Sequence, residues 1–142
     1  MSNVKPVVTY RGRSLGILVL TAAQLLVGVL HVIFGLWLLV AGSFADSAIS
    51  AQSSLFYSVY TLVFGLLTLV FTVGIWLRKN WGWIGTFAVS MFVIVADALA
   101  LLNLPSIPGI PQSAAGVEII YSILILLYLS QTHVRIKYHI SY

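Results

Sequence analysis

The sequence predicts an all-α fold: a polytopic membrane protein forming one antiparallel bundle of four transmembrane helices. Three observations predict it. Of the 142 residues, 61% are hydrophobic and 7% charged, whereas a soluble domain is about one-quarter charged because charge covers its surface. The mean hydropathy is +1.08, and apolar runs long enough to cross a bilayer recur four times. With four crossings, all seven Lys and Arg residues fall on one side. These features exclude a soluble globular domain, a disordered chain and a disulfide scaffold. The chain reads as a single transmembrane domain over residues 1–142, with spans at about 15–40, 55–77, 83–102 and 113–132.

The first span follows Arg11 and Arg13 and runs from Leu15 to Val40. It exceeds the apolar core of a signal peptide and is expected to be retained. The second runs from Leu55 to Leu77 and stops at Arg78-Lys79-Asn80. That turn is so short that spans two and three form an antiparallel hairpin. The third starts near Trp81-Gly82-Trp83 and ends at Leu102. The fourth is the weakest, with an apolar centre from Val117 to Leu129 and polar ends from Ser113 to Thr132. Its roughly 20 residues reach about 30 Å, just enough to span.

The connections differ. Ser43 to Ser54 is rich in Ser and Ala, and Asn103 to Gly116 carries Pro105, Pro108 and Pro111. Prolines at every third position forbid a continuous helix and suit an extended cap over the bundle. Beyond the last span, Val134, Ile136, Tyr138 and Ile140 alternate with Arg135, Lys137, His139 and Ser141. This period of two suits an extended segment. Val7-Val8-Thr9-Tyr10 is β-prone and is its candidate partner.

The basic residues Lys5, Arg11, Arg13, Arg78, Lys79, Arg135 and Lys137 set the orientation. The positive-inside rule places both termini and the Arg78–Asn80 turn in the cytoplasm of a multi-pass cell-membrane protein. The acids Asp46, Asp97 and Glu118 lie at or toward the other side. A net charge of +4 concentrated at span ends points to anionic lipid and not to nucleic acid. Trp37, Trp76, Trp81 and Trp83 sit near span ends, as an interfacial belt requires. The absence of cysteine removes disulfides, thiolate zinc and thiol catalysis.

Small and polar residues recur on single helix faces. The first span carries Thr21, Gln24, Gly28, His31, Gly35 and Gly42. The second carries Ser54, Ser58, Thr61, Gly65, Thr68 and Thr72, and the third Gly82, Thr86, Ser90 and Asp97. Such stripes let backbones approach and let hydroxyls bond across, so Gly28, Gly35, Gly42, Ser58 and Gly65 are the expected packing positions. His31, Asp97 and Glu118 carry the candidate chemistry. His31 lies about 24 Å along its span and Asp97 about 21 Å along its own, so both fall in the outer half. Intramembrane ionisable groups face a bundle interior or water. Three such groups serve either structural pairing or proton and ligand binding. No metal is assigned, because one His and two carboxylates lack a ligating spacing. No phosphate loop, nucleophile elbow, HExxH or dinucleotide fingerprint is present, so no catalytic residue and no cofactor is expected.

Three segments carry a resemblance: Arg13-Ser14-Leu15-Gly16-Ile17, Gly74-Ile75-Trp76-Leu77-Arg78-Lys79-Asn80-Trp81-Gly82-Trp83, and His133-Val134-Arg135-Ile136-Lys137-Tyr138. By them the chain resembles a loose group of small four-span archaeal and bacterial membrane proteins of unassigned function. It is also similar to accessory subunits of archaeal membrane oxidoreductases, ammonia monooxygenase assemblies among them. That resemblance implies a structural or accessory subunit without its own activity, docked on other membrane subunits or on copies of itself. The alternative is a small oligomeric transporter or channel that uses His31, Asp97 and Glu118.

Overall fold

The computed structural model describes residues 15–42, 48–105 and 107–138, with side chains over 15–40, 55–105 and 107–138. Helices α1 (Leu15–Gly42), α2 (Ala48–Trp76), α3 (Asn80–Leu101) and α4 (Gln112–Leu129) run up and down in chain order, and a short α5 (Thr132–Lys137) follows. Four stretches are long and apolar enough to cross a membrane: Leu15–Val40, Leu55–Trp76, Asn80–Leu101 and Gln112–Leu129. The chain is thus an all-helical, multi-pass membrane bundle. α2 starts before the apolar run that announced it, so part of the Ser- and Ala-rich connection is helical.

Each helix packs on the next, most extensively α1 on α2. The reason is glycine. A Cβ built at Gly65 would stand 2.8 Å from the Val32 nitrogen and 2.9 Å from the Gly28 carbonyl oxygen. One at Gly35 would stand 2.8 Å from the Leu62 nitrogen. Backbone meets backbone at these points, the close approach that membrane helices use in place of a hydrophobic drive. Gly74 and Gly82 do the same for α2 and α3 beside their turn. Ser58 is fully buried. The side-chain surroundings of Gly42 lie outside the described residues.

The two described helix ends that feed these turns close alike. At the end of α2, Arg78 adopts φ 56°, and the Lys79 and Arg78 amides donate to the Gly74 and Ile75 carbonyls at 2.9 and 3.1 Å. At the end of α3, Asn103 adopts φ 54°, and the Leu104 and Asn103 amides donate to Leu99 and Ala100 at 2.9 and 3.1 Å. Both are Schellman closures with a left-handed residue where glycine is usual. Pro111 then caps α4 from extended backbone.

The structure corrects three expectations. The tail is helical over Thr132–Lys137 and not extended. Val134 and Tyr138, four residues apart, are buried beneath the bundle while Ile136 is 66% exposed. The alternating pattern also contained this helical spacing, and burial of those two side chains decided between them. The segments 1–14 and 139–142, including the β-prone Val7–Tyr10, lie outside the described residues. Trp83 is no interfacial residue: it is 6% exposed and belongs to the core with Ile17, Leu20, Ile75, Ile125 and Leu129. Trp37, Trp76 and Trp81 do face outward. Finally, three stripe hydroxyls bond within their own helix and not across to a neighbour. Thr21, Thr61 and Thr72 donate to the Ile17, Tyr57 and Thr68 carbonyls at 2.8, 2.8 and 2.6 Å. The carbonyl four residues back is the nearest acceptor, so it wins over the neighbouring helix.

Candidate functional site

The bundle core changes character along its axis. The end holding Arg78, Lys79, Arg135 and Lys137 is here termed the basic end. Its core is apolar and sealed. The Trp83 indole Nε1–H donates to the Leu129 carbonyl at 3.1 Å, and the Tyr138 hydroxyl donates to the Ile75 carbonyl at 3.0 Å. Each bond holds one helix end against another segment.

The middle layer is polar. Gln24 Nε2 donates to Thr86 Oγ1 at 3.4 Å, while Gln24 Oε1 and the Tyr121 hydroxyl are buried without a partner. Between them lies a cavity of about 10 Å³, also lined by Thr68, Ser90 and Ser122. That is space for about one water.

The far end carries the ionisable set. His31 comes from α1 and Asp97 from α3, each on the face its small-residue stripe defines, and Glu118 comes from the second turn of α4. The His31 Nε2 atom lies 3.4 Å from Glu118 Oε1, and Nδ1 lies 2.8 Å from the Val27 carbonyl oxygen. The Phe64 ring meets the imidazole edge-on at 4.8 Å. Asp97 sits behind Glu118 with no exposed surface. Among the described residues neither of its carboxylate oxygens has a hydrogen-bond donor. Its electrostatic neighbours are Glu118 and His31. The structure therefore brings all three sequence-derived candidates into one neighbourhood.

The imidazole geometry fixes a proton count. A carbonyl oxygen only accepts, so Nδ1 carries a proton and donates to Val27. Nε2 then has no proton in the neutral ring. Its approach to Glu118 Oε1 is a hydrogen bond only when one further proton sits on Nε2 or on the carboxyl group. Asp97 adds to this demand. A lone carboxylate charge buried in a bilayer costs several kcal/mol unless a proton or a cation accompanies it.

Two tyrosines of α2 complete the site and were not among the candidates. The Tyr57 and Tyr60 phenols lie within electrostatic reach of both carboxylates, and the Tyr60 hydroxyl is buried without a hydrogen-bond partner. In sequence they look like aromatic residues of a lipid-facing surface. Their one signal is spacing, since Tyr57 and Thr61 are four apart beside the Ser58 stripe. A cleft of about 230 Å³ leads to His31 and Glu118 from the side of the bundle, lined also by Leu30, Phe34, Tyr57, Thr61 and Ala114. Leu30 and Phe34 are on the outward face of α1, so the mouth opens laterally on the apolar surface of the bundle. Among the described residues no three His, Asp or Glu side chains are placed to hold one metal ion.

Comparison with known proteins finds no matching family model, no matching curated protein and no matching solved structure. The reading of the site rests on its own geometry.

Proposed function

We propose that this chain is a small proton-exchanging membrane carrier whose working site is His31, Asp97 and Glu118. The observation that carries the reading is the His31 ring, which faces an acceptor with both nitrogens and so needs a proton beyond the neutral state. The groups around that proton come from all four spans: His31 of α1, Tyr57 and Tyr60 of α2, Asp97 of α3 and Glu118 of α4. The positive-inside rule supports a cytoplasmic basic end and a site open to the outer half of the cell membrane. The sealed apolar core below it argues for a carrier and against an open channel.

A pH titration of the carboxyl infrared bands in lipid nanodiscs tests this. The expected result is a carboxyl signal that responds to pH and disappears in Asp97→Asn or Glu118→Gln. A wild-type protein without any pH-dependent carboxyl signal refutes the carrier. Orientation has its own check: cysteines introduced at Ser47 and Ser141 should label from opposite sides of the membrane, and labelling from one side refutes four spans.

A structural or accessory role in a larger complex is the second reading. Its support is the exposed apolar face of α1, with Leu26, Ile33 and Trp37, which a partner helix would cover as well as lipid does. Membership of an archaeal oxidoreductase assembly remains what the motif resemblance implies, and co-purification in mild detergent is its test.

A further inference from the structure

We propose that the side cleft takes a small lipophilic amine, held as its ammonium form against Glu118 with its apolar body between Phe34 and Tyr57. This rests on the proton-exchanging reading and names the class of molecule that takes up the site's proton.

The charge balance selects a cation. The site sets two carboxylates against one imidazole, and the four spans contain no Lys or Arg. An anion would meet Glu118 at the cleft floor and Asp97 behind it, with only His31 to offset them. Asp97 is fully buried with Glu118 and His31 as its electrostatic neighbours, so a cation on Glu118 would offset its charge as well. The walls select an apolar molecule. Leu30 and Ala114 are aliphatic, Phe34 and Tyr57 aromatic, and ring faces attract an ammonium group once water is excluded. Size makes it small: about 230 Å³ lies below the roughly 300–1,000 Å³ of pockets that take drug-sized ligands. The lateral mouth selects the route. A molecule arriving through acyl chains crosses them uncharged, and an amine does so as the free base. At the floor its nitrogen lone pair takes the proton of the site. One N–H bond forms, one carboxyl O–H bond breaks, and an ammonium–carboxylate pair results with no other reactant. Return of the proton releases the free base.

The test uses the full chain in lipid nanodiscs, with empty nanodiscs as the partition blank. The probes are N,N-dimethylbenzylamine and its uncharged carbon counterpart isobutylbenzene, followed by calorimetry. Saturable binding of the amine alone is expected. It should weaken about tenfold or more in Glu118→Gln, which removes a charge-assisted hydrogen bond. Phe34→Leu keeps the bulk of a partly exposed side chain and folds, so it isolates the ring, and about a threefold loss is expected from the missing cation–ring attraction. Equal binding of isobutylbenzene, or unchanged amine binding in both variants, overturns the proposal. No amine binding beside a pH-responsive carboxyl signal overturns it while the carrier reading stands. Loss of that carboxyl signal in the wild type removes the carrier reading first.

Discussion

Replacing Gly65 tests both the packing and the site, because it lies beneath His31. A Cβ at Gly65 would meet the Val32 nitrogen at 2.8 Å, the Gly28 oxygen at 2.9 Å and the His31 Cβ at 3.0 Å. Ordinary contact at such a carbon begins near 3.4 Å. Two of the three obstacles are backbone, so α1 and α2 must separate by roughly half an ångström for Ala and by more for Leu. Overpacking of this kind costs about 1–3 kcal/mol, and Gly65→Leu belongs at the upper end. Leu66, the next residue, is 49% exposed, so Leu66→Ala should stay within about 0.5 kcal/mol. The displacement also has a functional consequence. The His31–Glu118 contact is 3.4 Å, already long, and the same shift of α1 breaks it. Unfolding by sodium dodecyl sulfate in mixed micelles, followed by tryptophan fluorescence, reads the stability. Infrared titration of the carboxyl groups reads the site. Equal stability of Gly65→Leu and Leu66→Ala would show that the α1–α2 seam does not run over Gly65.

Three further outcomes follow from the other closures. Gly82→Ala places a carbon against the Gly74–Ile75 backbone and should destabilise the α2–α3 hairpin by about 1–3 kcal/mol in the same unfolding assay. Arg78 holds φ 56°, a conformation costing a non-glycine residue about 1–2 kcal/mol. Arg78→Gly should therefore gain up to about 1 kcal/mol after the extra unfolded-state freedom of glycine is subtracted. Burial, with the Tyr128 phenol adding to it and Arg78 opposing, pushes the Tyr138 phenol up to about 12. Its unfolded value is about 10, so its contribution is fully present below pH 10 and is lost as pH rises through 12. Tyr138→Phe should cost about 1 kcal/mol and abolish that alkaline step in the tyrosine absorbance titration.

The spans were legible because transmembrane helices obey one dominant constraint: every backbone polar group must be satisfied within the segment. Length and apolarity then suffice, and all four predicted runs coincide with observed helices. The glycine stripe was legible for a related reason, since only small residues at helical spacing admit a backbone. Partner choice was not legible. The stripe hydroxyls had two acceptors open to them, a neighbouring helix or the carbonyl one turn back, and spacing cannot rank the two. Trp83 misled because indoles suit both the headgroup zone and a core, and a hydrogen bond to Leu129 in another helix decides which. The tail misled because β-branched alternation is a weak preference that burial of Val134 and Tyr138 overrides. His31, Asp97 and Glu118 were legible as expensive residues. Their meeting, 87 residues apart for His31 and Glu118, follows from helix rotation and register, which no single span encodes. Tyr57 and Tyr60 stayed hidden because an aromatic residue in a span carries no mark of which way it faces.

The same helix faces that gather the acids also determine where a proton can go next. Below Glu118 on α4 come Ser122, Ile125 and Leu129 at intervals of three and four, all buried. Below Asp97 on α3 come Val93, Ser90, Thr86 and Trp83, also buried. The α4 stripe thus passes from ionisable to hydroxyl to apolar, the α3 stripe does so with Val93 interposed after Asp97, and the room for a single water between Gln24 and Tyr121 marks the last polar step. Beyond it, Ile17, Ile75, Leu129 and Val134 are apolar and almost fully buried, and the Trp83 and Tyr138 donors are already bonded to carbonyls. On the proposed carrier reading, a proton entering from the far end finds side-chain hydroxyls only as far as mid-bundle. Passage to the basic end requires α5 to lift and Trp83 to leave Leu129, which exposes the Leu129 carbonyl and breaks the Tyr138 bond to Ile75. If the chain is the carrier proposed above, the two bonds that close the basic end are also the two that its cycle has to break. Weakening them by Tyr138→Phe should raise proton leak in reconstituted vesicles without altering the carboxyl titration of the site. A variant that loosens the basic end yet leaks no faster than wild type would place the barrier elsewhere than in this apolar core.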